Sequence, residues 1–279
     1  MADVLARCQP IENPRANINA LSVPPCLRGK TLNPESHEMR SYRSFKHKDA
    51  TFRICCREFK AVMEAIVHQR AALERYIASH AAFGEAFTPL DLHANAPEVA
   101  ARMATAARMI GVGPMAAVAG TMAQLAAEAG LAAGADEAIV ENGGDIYLSS
   151  PHEVIVGLFA GDSPLSDKLA FAVQPADMPL AICSSSSRMG HSDSLGDCDL
   201  STAIACSASL ADAAATEAAN RVTKLDDLDP TLEAIGRIDG IRGLLLVKGD
   251  KIGVIGSIPR LVRNRDAELV AKVTKHERS

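Results

Sequence analysis

The sequence predicts an α+β protein in which an antiparallel sheet packs against Ala-rich helices, and three observations carry that prediction. Segments of helical period dominate the first half, strand-length apolar runs joined by turns follow, and the strict strand–helix alternation of a doubly wound sheet is missing. The chain has 279 residues, 48% hydrophobic and 23% charged, enough for a packed core without disulfides or a structural metal. Lys and Arg number 29 against 34 Asp and Glu, a net charge of −5, so the broad basic field that selects nucleic-acid backbones is absent. With no Trp, 3 Tyr and 7 Phe, a base-stacking platform has few residues to be built from. Nucleic acid is therefore not an expected partner.

Residues 1–38 are rich in Pro, Asn and Arg without a sustained period, so a disordered extension is expected ahead of a single domain over residues 39–262. Tyr42–Lys46 and Thr51–Cys56 read as strands around a polar His-Lys-Asp turn. Phe59, Val62, Met63, Ile66, Val67, Leu73 and Ile77 recur at three- and four-residue spacing and predict an amphipathic helix from Phe59 to His80. Phe83 to Pro97 reads as a loop, with Pro97 suited to the first position of a helix that runs to about Ile110. Gly111-Val-Gly-Pro114 breaks that helix, and Met115–Ala133 is a second, Ala-rich one ending at Gly134.

A β-rich half follows. Glu137–Glu141, Ile146–Leu148 and Val154–Phe159 are strand-like, with Asn142-Gly143-Gly144-Asp145 the tightest turn signal in the chain. Leu180–Cys183 and Ser201–Cys206 bracket a long Ser/Gly/Asp loop. Ser209–Val222 is helical with Ser207 or Ser209 as the N-cap, and Pro230–Ile238 is a shorter helix. Leu244–Val247 and Ile252–Ile255 form a hairpin, and the charged stretch after Arg260 is expected to fray, with residues 263–279 a tail. No repeat of 20 to 50 residues is visible.

The 7 cysteines include no CxxC pair, a pattern of buried thiols in a reducing compartment rather than of a disulfide framework or zinc ribbon. The start lacks a positive region followed by an apolar one. The longest uncharged stretch, Met109–Ala127, is mostly Ala and is interrupted by Gly111, Gly113, Pro114, Gly120, Thr121 and Gln124, so its transfer energy is weak. A cytoplasmic protein without a membrane span is expected.

Three segments carry candidate chemistry. In the loop Ser184–Asp199, hydroxyls such as Ser187 and Ser192 with freed backbone N–H groups could cradle a phosphate, Arg188 could supply positive charge, and His191 could carry a proton. A plain solvated loop fits the same composition. Asp212 and Thr216 are four apart on one helix face and offer two hard oxygens of the kind Mg²⁺ takes together with ligand phosphate oxygens, although polar pairs at this spacing are also ordinary on helix surfaces. The corner Asn142–Asp145 is first a hairpin turn, and its two glycines would also let a pyrophosphate or flavin approach backbone N–H groups. Gly111-Val-Gly-Pro-Met-Ala116 matches GxGxxA but follows a helix, so it is no dinucleotide fingerprint. Cys183 and Cys206 have no adjacent base and read as core residues.

The order of these segments resembles that of a known family. Ala138-Ile-Val-Glu-Asn-Gly-Gly-Asp-Ile-Tyr147 resembles the GGD-I strand–turn–strand of the ApbE superfamily, whose characterised members are FAD:protein FMN transferases, once called thiamine biosynthesis lipoproteins. Ala211-Asp-Ala-Ala-Ala-Thr-Glu-Ala218 resembles that superfamily's A-D-A-x-A-T-A helix, and Gly190-His191-Ser192 sits where it has a His-containing flavin loop. The Gly113–Gly120 segment adds likeness to an uncharacterised cytosolic branch, and the whole resemblance covers roughly residues 100–260. It implies an ApbE-like fold and a Mg²⁺ ion on Asp212 and Thr216. It also implies an FAD or FMN site lined by Gly143, Gly144 and Asp145, with His191 approximately matching the catalytic loop; the turn and loop readings add Asn142, Ser187, Arg188 and Ser192 as cofactor-binding candidates. FMN would pass to a Thr or Ser of an acceptor protein. Two departures stand out: Ala119-Gly120 replaces a Lys-Gly, and Gly190–Gly196 replaces a His-x-x-Asp-Pro-x-Thr-Gly loop.

The leading expectation is an ApbE-like protein that binds FAD or a related pyrophosphate ligand through Mg²⁺ and acts as an FMN transferase. A non-catalytic binding or regulatory module on the same scaffold stays open, as does metal-independent chemistry on a small anion through His191 and Arg188. Beside the nucleotide and the acceptor, the small-residue helices offer a surface for a homodimer.

Overall fold

The computed structural model describes residues 40–161, 163–166, 168–187 and 196–264. The expected extension over residues 1–38 lies outside them. In chain order the strands are β1 (Arg43–His47), β2 (Ala50–Cys56), β3 (Ala138–Asn142), β4 (Asp145–Ser149), β5 (Val154–Leu158), β6 (Leu169–Val173), β7 (Leu180–Ser185), β8 (Leu200–Ala205), β9 (Ile241–Lys248), β10 (Lys251–Gly256) and β11 (Arg260–Arg263). The helices are α1 (Phe59–Ser79), the single turn α2 (Ala82–Glu85), α3 (Glu98–Ile110), α4 (Val118–Ala132), α5 (Ala208–Arg221) and α6 (Leu228–Gly236).

An eight-stranded antiparallel sheet runs β1-β2-β3-β4-β7-β8-β9-β10, and a three-stranded one runs β11-β6-β5. Period-two alternation splits the central strands between two cores. Val140, Tyr147, Ala181, Ala203, Leu244 and Leu246 face the helices, whereas Ile139, Leu148, Leu180, Ile204, Leu245 and Val247 pack on Val154, Val156, Phe171 and Val173 of the small sheet. Burial on both faces explains the unbroken Leu244–Val247 run of β9, while β8, buried throughout, carries Ser201 and Thr202 within it.

Helix α5 lies directly on the large sheet, buried from Ala208 through Ala215. Its alanines let α4 come close: a Cβ on Gly120 would sit 2.5 Å from the Ala208 carbonyl oxygen and 2.9 Å from Asp212 Cβ. Polar cross-links fix the crossing. Gln124 Oε1 accepts the Ala208 N–H at 2.8 Å, and Thr121 Oγ1 donates to Ser209 Oγ at 2.7 Å. Ser207 is the N-cap, its side chain accepting from the Leu210 N–H at 3.4 Å.

The structure departs from the sequence reading at several places. Leu169–Val173 is a strand, and Arg260–Arg263 pairs with it instead of beginning a tail, because Leu261 adds to the apolar face of the small sheet. Pro97 is the N-cap of α3, one residue outside the helix. Cys206 is disulfide-bonded, against the expectation of free thiols, while Cys55, Cys56, Cys183 and Cys198 are free and buried. Among the described residues no single helix is long and apolar enough to cross a membrane, and the uncharged stretch bends by 106° between Glu98–Ile110 and Pro114–Ala132.

Candidate functional site

Asn142 ends β3 and pairs with Asp145, which begins β4, so the hairpin needs a two-residue turn. Gly143 and Gly144 supply it with φ of 66° and 107°, the two left-handed positions of a type I′ turn that glycine adopts without strain. A Cβ at Gly143 would meet nothing, and at Gly144 only the Ser184 carbonyl oxygen at 3.6 Å, so the corner is open to a ligand.

Alternation along β4 turns Asp145 to the helix-facing side with Tyr147, while Leu148 faces the small sheet. Asp145 pairs in register with Cys183 of β7, whose Sγ donates to the Ala208 carbonyl at 3.5 Å, one helical turn before Asp212 on α5. The first turn of α4 closes the arrangement. Asn142 Nδ2 donates to the Ala119 carbonyl at 3.3 Å, and the next residue, Gly120, donates its N–H to Asp212 Oδ2 at 2.8 Å. Thr216 lies one turn further along α5 and is half-buried. Corner and helix thus meet at one place.

The electrostatics there are unusual. Asp145 is 6% exposed and Asp212 8%. Burial pushes the Asp212 carboxyl well above the usual range, the charge of Asp145 pushes the same way, and the N–H groups of Gly120 and Ala119 oppose both. Burial likewise raises Asp145, against hydrogen bonds from Cys183 and the Ser184 backbone. The Cys183 thiol is raised by burial and then by both acids. Among the described residues no basic side chain offsets either carboxyl, and Asp145 Oδ1 has no hydrogen-bond partner.

A buried, unpartnered carboxylate oxygen beside a second acid is a donor set that suits a hard divalent cation, because the alternative is an uncompensated buried charge. Among the described residues no three His, Cys, Asp or Glu side chains form a complete metal cage. A cation here would therefore fill the rest of its shell from Thr216 and from water or ligand oxygens.

The loop residues are placed differently. Ser187 Oγ donates to the Ala219 carbonyl at 3.1 Å and accepts the Cys198 N–H at 3.1 Å, so it fastens the base of the loop to the C-terminal half of α5. Lys248 pairs with Asp197, and Asp199 accepts the Gly249 N–H at 2.6 Å, holding the returning end. Arg188, His191 and Ser192 lie outside the described residues. Sequence reasoning missed Cys183 and the Ala119–Gly120 backbone, since both enter the site through pairings between distant segments. Gly120 near the start of a helix, where alanine would be favoured, was the available signal.

A family model described as AbpE bacteria matches residues 40–231. A UPF0280 protein of Methanocella arvoryzae is 40% identical over 211 residues, covering 75% of this chain and 86% of that protein. A UPF0280 protein of Methanosarcina acetivorans is 40% identical over 205 residues, covering 73% and 81%. Among solved structures, a mutant form of the flavin transferase ApbE from Vibrio cholerae aligns with a TM-score of 0.51 over 78% of this chain and 97% of its own, at 11% identity. That likeness shows a common fold.

Proposed function

The chain belongs to the family described as AbpE bacteria, and from that premise we propose that the Asn142–Asp145 corner and the Asp212 helix together bind FAD or a related pyrophosphate ligand through Mg²⁺, with FMN transfer as the reaction. The supporting observation is that consecutive residues of α4, Ala119 and Gly120, hydrogen-bond the corner and Asp212 respectively. The transferase class comes from the name borne by the Vibrio cholerae protein of common fold.

In this reading Asp212 and Thr216 hold the ion. When bound, Mg²⁺ neutralises charge on both phosphates and so stabilises AMP as the leaving group. The chain's own groups do the positioning. The Gly120 N–H orients the Asp212 carboxylate, and the bare backbone at Gly143 and Gly144 admits the ligand to within van der Waals reach. His191 keeps the proton-carrier role that the sequence assigns it, taking the proton of an acceptor hydroxyl as its oxygen bonds to the FMN phosphorus.

One observation favours a binding-only alternative: Ala119-Gly120 stands where the family resemblance has Lys-Gly, so a positive side chain is missing beside the phosphates. Incubation of the protein with FAD, Mg²⁺ and Thr- or Ser-containing acceptor proteins decides between them. Release of AMP with a flavinylated acceptor supports the transferase. FAD bound without AMP release supports the binding module.

A further inference from the structure

The pair of buried acids has a property that a one-carboxylate site lacks. Asp145 reaches the site from the sheet and Asp212 from α5, and both contact the surroundings of Cys183, whose thiol donates to α5 at Ala208. Asp212 has one oxygen, Oδ2, turned to the Gly120 N–H. The Asp145 carboxyl takes hydrogen bonds from Cys183 and the Ser184 backbone, yet its Oδ1 is sealed from solvent without a hydrogen-bond partner. A buried acceptor oxygen without a partner costs free energy, and here it stays unpartnered although the carboxyl as a whole is held by its neighbours. A site with a single Asp and a Thr needs phosphate oxygens to complete the shell of Mg²⁺, whereas two carboxylates neutralise a divalent ion without help.

We propose that Asp145 is a protein ligand of the cation together with Asp212, so that the ion is bound by the protein before any nucleotide arrives and itself forms part of the nucleotide's binding surface. This deepens the reading of the site given above and rests on it only for the nature of the second ligand. The order of binding follows from charge: once the ion has cancelled both carboxylates, an anionic pyrophosphate can enter. Without the ion, the buried acid pair offers the phosphates no positive partner.

The test uses the full chain stripped with chelator and titrated with Mn²⁺ while the free-ion electron paramagnetic resonance signal is followed, without nucleotide and then with FAD. Binding without nucleotide, weakened at least about tenfold by Asp145→Asn, is the expected result. Asp145→Asn removes a buried charge at almost constant shape, and its fold is checked by circular dichroism. Should it not fold, a rise in the wild-type Tm on adding Mn²⁺ alone takes its place, as any ligand of the native state stabilises it. Mn²⁺ bound only when FAD is present would overturn the proposal and leave the flavin reading standing. Mn²⁺ bound without nucleotide, with FAD never binding, would leave the two-carboxylate site and remove the flavin. No Mn²⁺ binding in either condition would show that the acids merely share a proton, and the proposal would fall.

Discussion

Gly120 donates its backbone N–H to Asp212 Oδ2 at 2.8 Å across 92 residues of chain. The residue before α4, Ala117, has no side chain that can cap the helix, so a carboxylate of α5 does it from outside. Asp212 therefore has two functions, as a cap and as the candidate ligand, and substitutions separate them. Asp212→Asn keeps an oxygen acceptor for Gly120 and is expected to hold stability within about 1 kcal/mol while losing cation binding. Asp212→Ala leaves a buried N–H unpartnered and is expected to cost about 1–3 kcal/mol as well, read by urea denaturation.

Gly120→Ala should be among the most damaging single-methyl changes in the chain. The new Cβ would meet the Ala208 carbonyl oxygen at 2.5 Å and Asp212 Cβ at 2.9 Å, so α4 and α5 must separate. A loss of about 1–3 kcal/mol and a weakened FAD affinity are expected together, since the same shift moves Asp212. Ordinary stability and unchanged affinity would mean that the crossing is looser than described.

Cys183 is expected to resist alkylation in the native protein. It is fully buried, and burial with the two neighbouring acids holds its thiol well above the usual range, so little thiolate exists to react. Iodoacetamide at pH 8 should modify it only after unfolding, as followed by peptide mass mapping. Rapid native labelling would place it in an accessible pocket instead.

Acid should release the start of the described chain. Burial alone would raise the Glu137 carboxyl, but hydrogen bonds from Ser150 and Arg40 and the Arg40 charge outweigh it and hold the group below its ordinary value. A depressed folded value means stability that is present above the ordinary Glu range near 4.3 and is lost as pH falls through the folded value. Arg40→Ala should flatten that acid limb in denaturation curves taken from pH 5 to 3. An unchanged acid limb would show that the Arg40–Glu137 pair, 2.8 Å apart, does not couple to folding.

Local signals made much of the fold legible. The Asn142–Asp145 turn fixes its own hairpin, and the spacing of Val62, Ile66 and Leu73 fixes the inner face of α1. The strand β6 was not legible, because Ala170 and Ala172 lack the β-branched or aromatic signature and their placement depends on partners from β5 and β11. In the site, Asp212 could be named from its helix. Its closeness to Asp145 follows from the pairing of β4 with β7 and the crossing of α4 over α5, long-range facts that no local pattern encodes.

The most direct measurement is FAD titration by flavin fluorescence with excess Mg²⁺ and again with EDTA, on the wild type and on Asp212→Asn. The account predicts saturable binding with Mg²⁺ alone, lost on chelation and lost in the variant. Equal affinity in all these conditions would contradict it, since the ligand would then be held without the cation or the helix carboxylate.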